Sequence, residues 1–332
     1  MTTQHIKSTC CKAKIIHYGK RRRQCTNCLR TWRINRHKCG RKLKRNNQQL
    51  LKRIMLRNQS VKHSCHYYRG LSKITVYKRF QKTLREFSSK TINYPKFKGR
   101  YILVTDALWY RFGSTYWTLF LFLLKPVRRN TAYVLNPVML MGGESFESWK
   151  GAIESIPFIV RKSIIAITTD NFRSSARIAN YFRWPHQLCQ FHLIAALQKR
   201  RGKRKRAIPG VKLRESIYRV IRRLLETPDP EETNNLIHQL NFSIGDPKCP
   251  ESIRMIAREF LREINQYRTY LKYPDLTIPR TTGAAESLGN LIRNKTNRLK
   301  SPDSVYQWSS GFIKMKKTIN CKRSKVPNYQ PN

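Results

Sequence analysis

Acidic side chains are scarce in this sequence, and three of them stand where carboxylates do chemistry. Asp106 ends the apolar run Tyr101-Ile-Leu-Val-Thr105, and Asp170 ends Ser163-Ile-Ile-Ala-Ile-Thr-Thr169. Short apolar runs of this kind read as buried strands, and sheet-based sites gather ligands at the C-terminal ends of strands. Glu286 lies in Thr281-Thr-Gly-Ala-Ala-Glu286-Ser287, which reads as a helix start after a long helical stretch. Three converging carboxylates suit two Mg2+ ions about 4 Å apart, one activating a hydroxyl and one stabilising a leaving oxygen. Taken singly, Asp170 followed by Asn171 equally suits a helix cap. The combination carries the reading.

A second set of residues suits a softer metal. The chain has nine cysteines, with Cys10-Cys11 adjacent and Cys25-Thr-Asn-Cys28 in the C-x-x-C spacing. Such spacing in an intracellular protein points to metal before disulfides. Residues 5–40 carry few apolar side chains, so a metal staple would substitute for a core. A closed zinc site needs four N or S ligands. Cys10, Cys11, Cys25 and Cys28 are the candidates, with His5 and His37-x-Cys39 as alternative sources of a ligand. A cysteine at position 8 would complete a second C-x-x-C, but Ser8 cannot supply a thiolate. A ribbon that has lost its metal is the other reading.

Charge narrows the ligand. The 332 residues hold 68 Lys and Arg against 18 Asp and Glu, a net charge of +50. Residues 1–100 hold 29 Lys or Arg and one acid, Glu86, or +28 (29 − 1). A solvated face mixes signs, whereas this bias fits a phosphate backbone. Acidic small molecules and acidic proteins are poor explanations for it, and nucleic acid is the leading partner. The hydrophobic fraction of 40% argues against disorder as the whole answer. A second basic cluster, Lys199 to Arg206, fits either a linker or a DNA groove. The longest apolar run, Tyr116 to Leu124, is too short for a bilayer, and residues 1–10 lack a signal-peptide core. The expectation is a cytoplasmic, nucleoid-associated protein with no membrane contact.

The elements that must position these groups fall into three segments: 1–40 as a zinc-ribbon-like module, 41–92 as a helix-turn-helix, and 93–332 as the catalytic domain. Gln49 to Leu56 and Ser60 to Tyr68 predict two short helices, Gly70 breaks the pattern, and Ser72 caps a third. The third helix carries Val76, Phe80 and Leu84 on one face and Lys73, Lys78, Arg79 and Lys82 on the other. A basic last helix after two short ones suits the major groove of DNA. Asn93 to Gly99 reads as a connector. Strands are then predicted at Tyr101–Thr105, Thr115–Leu124, Thr131–Met141, Ser163–Thr169 and Gln187–His192. Helices are predicted at Ser145–Ile156 and Arg173–Phe182, with Gly142-Gly143 as a turn. Trp149 and Trp184 read as core. Strands and helices in this order predict an α/β fold with a sheet of mixed direction. Residues from 211 onward are helical, making an insertion of about 199–279, and a last helix runs from Asp303 to about Ile319.

The order of these motifs resembles the DDE transposases of bacterial insertion sequences related to Mutator-like elements. The resemblance covers residues 90–320. It rests on Val104-Thr-Asp106, Thr168-Thr-Asp170-Asn171, Cys189-Gln-Phe-His192, and Thr281-Thr-Gly-Ala-Ala-Glu286-Ser287 with Asn290. It implies a ribonuclease-H-like core with a helical insertion and Mg2+-dependent DNA strand transfer. Asp106, Asp170 and Glu286 would be the metal ligands, with Cys189 and His192 beside them. Read alone, Cys189 equally suits a buried small residue and His192 a helix-start histidine. The N-terminal region resembles the zinc ribbons that precede helix-turn-helix modules in such enzymes. Double-stranded DNA, both element ends and target, would be the partner, and joining two ends implies a homo-oligomer on DNA. The rival expectations are a catalytically inactive DNA-binding protein derived from such an enzyme, and an RNA-binding protein.

Overall fold

The computed structural model describes residues 8, 10–18, 22–33, 46–57, 59–65, 68, 71–90, 99–201 and 210–321. His5, His37, Cys39, Gly70, most of the 93–99 connector and residues 202–206 of the basic cluster lie outside them. The chain divides into two units, residues 1–80 and 81–332.

The first unit begins with three short antiparallel strands, β1 (Ile15–His17), β2 (Arg22–Cys25) and β3 (Thr31–Arg33), in that order. Helix α1 (Asn46–Met55) buries Leu50, Leu51, Ile54 and Met55, an i, i+1, i+4, i+5 stripe. Helix α2 (Val61–Cys65) starts where the Ser60 hydroxyl accepts the His63 N–H at 3.0 Å. Helix α3 (Lys73–Ser89), whose residues after Phe80 belong to the second unit, starts likewise, with Ser72 Oγ accepting the Thr75 N–H at 3.2 Å. Val76, Phe80 and Leu84 are buried on α3, as their spacing predicts.

The second unit is mixed α/β. Its strands are β4 (Tyr101–Phe112), β5 (Thr115–Pro126), β6 (Thr131–Val134), β7 (Val138–Met141), β8 (Ile164–Thr169), β9 (His186–Leu188) and β10 (Thr318–Asn320). They form one sheet in the order β10-β6-β5-β4-β8-β9, with β7 also paired to β5. β4–β5 is antiparallel, while β4–β8 and β8–β9 are parallel. The sheet therefore has mixed direction. Leu119 to Leu124 on β5 are all fully buried, so both faces of the sheet are covered there. On one face Trp149 of α4 (Phe146–Glu154) packs with Phe120, Phe122, Leu103 and Ile167. α5 (Phe158–Arg161) and α6 (Ser175–Phe182) complete that side of the chain's path between β7 and β9.

Helices α7 (Gln190–Arg200), α8 (Val211–Glu226), α9 (Pro230–Gly245) and α10 (Glu251–Arg262) build a separate apolar cluster. Ile217, Ile221 and Leu224 meet Leu240, Ile253 and Phe260 in it. Short helices α11 (Ile264–Tyr267) and α12 (Thr269–Lys272) and a 3-10 turn (Pro274–Leu276) lead back to the sheet. α13 (Gly283–Thr296) and α14 (Pro302–Lys316) follow.

Four expectations change. β4 does not end at Asp106; pairing with β5 carries it on from Ala107↔Phe120 to Phe112↔Thr115. The Thr131–Met141 strand is two strands, interrupted at Asn136-Pro137, where proline lacks the N–H a ladder needs. Gln187–His192 is not one strand: β9 stops at Leu188 and His192 lies in α7. The last helix ends at Lys316, after which β10 pairs with β6.

Candidate functional site

The sheet register brings the first two carboxylates together. Val104 of β4 pairs with Thr168 of β8, and this is the last parallel pair between them. Asp106 and Asp170 each stand two residues beyond that pair. Side chains alternate along a strand, so Asp106 leaves β4 on the side Val104 takes, while Asp170 follows the last residue of β8, and neighbouring strands lie about 4.8 Å apart. Asp106 sits mid-strand with β5 on one side and an open edge on the other, because β8 has ended.

α13 delivers the third carboxylate. It crosses β4 closely enough that a Cβ on Gly289 would lie 3.1 Å from Asp106 Oδ2 and 2.9 Å from Leu108 Cδ2. Only glycine fits that crossing without displacement. Glu286 is three residues earlier, on the same helix face as Gly289. At the far end of the same crossing, the Tyr110 and Thr296 hydroxyls bond at 2.8 Å. Thr282 precedes α13, and its hydroxyl donates to Glu286 Oε1 at 2.6 Å, which fixes the carboxylate.

The electrostatics follow from this crowding. Burial, then the Asp170 charge, push the Asp106 carboxyl up to about 7, against a bond from the Ala107 N–H at 2.9 Å. Burial, then the Glu144 charge, push Asp170 up to about 6, while His192 pulls it down. Asp170 Oδ1 is buried and has no hydrogen-bond partner among the described residues. A cluster of carboxylates with an orphaned oxygen is what a cation would relieve.

Cys189 immediately precedes α7, with no side-chain bond to its first turn, where His192 lies. Cys189 Sγ is buried, accepts the Thr282 N–H at 3.3 Å, and lies 4.0 Å from Glu286 Oε1. His192 Nε2 is 3.9 Å from the same oxygen. Its contact with Cys189 and the nearby carboxylates raise the imidazole to about 9, against the cost of burial. The ligand atoms of Cys189, His192 and Glu286 lie within 4.8 Å of one another. Asp106 and Asp170 do not join that group.

Two contributors escape sequence reasoning. Glu144, just after the Gly142-Gly143 turn, acts electrostatically on both Asp106 and Asp170. Its two oxygens accept the indole N–H groups of Trp109 at 2.5 Å and Trp149 at 3.2 Å. An acid following a strand and a glycine turn was the available signal. Glu259 of α10 accepts the Asn171 side-chain N–H at 2.9 Å and so ties the helical insertion to the residue after Asp170. That contact spans 88 residues and has no local signature.

In the first unit, the sulfurs of Cys10, Cys11, Cys25 and Cys28 lie within 4.8 Å of one another and can hold a metal ion. Ser8 takes the position of the missing knuckle cysteine. It is buried, and its Oγ accepts the Cys11 and Ala13 N–H groups at 3.4 and 3.1 Å and the Cys25 thiol at 3.3 Å. Serine shapes that turn, and Cys10 supplies the fourth sulfur. The Cys28 N–H and the Ser8 hydroxyl lower the Cys25 thiol to about 6. Against the Arg30 N–H, its sulfur neighbours push Cys28 up to about 12. Four thiols this close cannot all ionise without a cation.

On α3, Lys73, Lys78 and Lys82 are exposed. Arg79 is half-buried and acts electrostatically on the buried Tyr68, so it does not share their solvent-facing position. No helix among the described residues is long and apolar enough to cross a membrane.

No family model and no curated protein matches the chain. Among solved structures it is similar to a Drosophila P element transposase strand transfer complex. The match has 8% identity and a TM-score of 0.43, and it covers 85% of this chain and 93% of that one.

Proposed function

We propose that the chain is a DNA transposase of the DDE type, with a ribonuclease-H-like second unit that cuts and joins DNA strands. The observation that carries this reading is the pair Asp106 and Asp170, two residues past the Val104↔Thr168 rung, each feeling the charge of Glu286 on α13. Their raised carboxyls and the orphaned Asp170 Oδ1 fit a site for Mg2+, held by Asp106, Asp170 and Glu286. Bound Mg2+ supplies Lewis-acid polarisation of a phosphate and a lowered pKa for the attacking hydroxyl.

The chain's own residues do the rest. A net charge of +50 draws the DNA backbone in, while the buried carboxylates repel a bare phosphate until cations compensate them. Thr282 holds Glu286 in one orientation. The first unit, its four thiols closed by Zn2+, and the helix α3 that leaves it present Lys73, Lys78 and Lys82 to duplex DNA at the element ends. The protein works in the cytoplasm with the nucleoid, and brings two ends together as a homo-oligomer.

The test is a plasmid assay in which a marker bounded by the gene's native flanking DNA is mobilised by wild type or by Asp170→Asn. New insertions should fall by at least about 10³-fold in the variant, with binding to the flanks retained. Binding without insertion from either protein would leave a DNA-binding remnant. Equal insertion from both would move the chemistry to other residues.

A further inference from the structure

Beside the carboxylates lies a donor set of a different character. Cys189, His192 and Glu286 offer one sulfur, one nitrogen and one oxygen. They come from the first turns of two helices, α7 and α13. Oxygen-only sets suit Mg2+, whereas thiolate and imidazole select Zn2+ and its neighbours. We propose that this trio is a second, inhibitory metal site for Zn2+ or a similar borderline-soft divalent ion, and that its occupancy takes Glu286 from the Mg2+ pair.

The geometry is close to what a tetrahedral ion needs. Bond lengths of about 2.0–2.3 Å imply ligand–ligand edges of about 3.3–3.6 Å. The observed edges to Glu286 Oε1 are 4.0 Å from Cys189 Sγ and 3.9 Å from His192 Nε2. Side-chain adjustment of about half an ångström closes them. The sulfur is buried and already accepts the Thr282 N–H at 3.3 Å and lies 3.2 Å from its hydroxyl, the support that a ligating thiolate requires. The mouth is open, because the side chains of His192 and Glu286 are 45% and 23% exposed. Three protein ligands with one position left to water is the arrangement of a reactive or exchangeable zinc, in contrast to the closed four-thiol cluster.

Glu286 cannot serve both ions fully. Its Oε1 is the vertex shared by the soft trio, and the same carboxylate completes the hard one with Asp106 and Asp170. Zn2+ at micromolar levels would therefore arrest strand cleavage without unfolding the protein. The metal site stands on its own geometry. Only the competition rests on the transposase reading.

The experiment separates the two. Full-length protein with its N-terminal thiols filled by Zn2+ is titrated with Co2+, as wild type, Cys189→Ser and His192→Ala. Wild type should bind one more equivalent than Cys189→Ser, with thiolate-to-cobalt charge-transfer absorption that the serine variant lacks. His192→Ala should bind that equivalent at least about tenfold more weakly. Identical stoichiometry and absorption in wild type and Cys189→Ser would overturn the site. If Cys189→Ser fails to fold by near-UV circular dichroism, unchanged Co2+ affinity in His192→Ala, a half-exposed residue, overturns it instead. In Mg2+-supported cleavage, Zn2+ should inhibit wild type at concentrations at least about tenfold below those needed for Cys189→Ser. Equal sensitivity would remove the competition. Absence of any cleavage in Mg2+ would sink the transposase reading and leave the Co2+ titration to decide the site.

Discussion

The four thiols of the first unit and the Cys189–His192–Glu286 trio of the second use overlapping donor chemistry on very different scaffolds. Cys10, Cys11 and Cys28 are exposed; the first two lie in the turn before β1 and Cys28 in the turn from β2 to β3, beside strands of three or four residues. Little apolar cover stands behind them, so a metal there would hold the fold. The trio sits on helices backed by a sheet whose β5 strand is fully buried from Leu119 to Leu124. That scaffold exists before any metal arrives. Where burial already fixes the backbone, a ligand set can be left incomplete and put to chemical use.

The largest expected effect breaks the first cluster alone. Cys25→Ser with Cys28→Ser, or chelation, should expose the amides of β1–β3 to rapid hydrogen exchange. Binding to element ends should fall by about 100-fold. The thermal transition of the second unit should not move. Loss of both units together would show that the contrast is wrong.

A change at the α13–β4 crossing should do the reverse. Gly289→Ala places a Cβ 2.9 Å from Leu108 Cδ2 and 3.1 Å from Asp106 Oδ2. The ends of the Leu108 and Asp106 side chains must shift to admit it, a cost of about 1–3 kcal/mol from which the helix preference of alanine over glycine takes back about 1 kcal/mol. Calorimetry should show a lower Tm, by about 2–4 °C per kcal/mol, with the thiol cluster still able to take up Zn2+.

The carboxylates add a pH signature. Asp106 and Asp170 are raised from an ordinary 3.8 to about 7 and about 6. Acids raised on folding contribute stability that is fully present below the unfolded value and is lost as pH rises through the folded one. Metal-free protein should therefore lose stability between about pH 4 and pH 7. Asp106→Asn should flatten part of that slope, and Mg2+ should restore stability at pH 8. Thermal melts of both proteins at pH 5 and pH 8 check this, and identical slopes would discount the crowded carboxylates.

The smallest effects sharpen the basic face of α3. Lys73→Ala, Lys78→Ala and Lys82→Ala should each lower the slope of log affinity against log salt by about 1, uniformly across sequences. Arg79→Ala should instead lower the melting temperature of the first unit, since that side chain is half-buried. Fluorescence anisotropy at several salt concentrations distinguishes the two behaviours.

Local patterns carried much of the fold. The stripe Val76, Phe80, Leu84 and the caps Ser60 and Ser72 are written in adjacent residues, and the apolar runs at β4, β5 and β8 are unambiguous. What escaped depends on distant partners. Asp106 is mid-strand because β5 returns alongside it, and nothing in residues 107–112 announces that pairing. β10 exists through three residues of β6, far back in the chain. At the site, the scarcity of acids singled out Asp106, Asp170 and Glu286. Glu144 does not stand out in the same way, because its role depends on two indoles that only the folded sheet brings to it.

The shared rung Val104↔Thr168 acts as a ruler. Asp106 is counted from it within β4 and Asp170 stands one residue past the end of β8, so the rung fixes the points from which both aspartates leave the sheet. One residue inserted between Ala166 and Thr168, past the bulge that already separates Ile164 from Ala166, would invert the exit side of Asp170 and dismantle the pair. The linkers between α8, α9 and α10 carry no such constraint on the two aspartates. Descendants of this sequence should therefore vary freely in the length of the helical insertion, while the regular rungs from Ile102↔Ala166 to Val104↔Thr168 admit substitutions but no insertions or deletions.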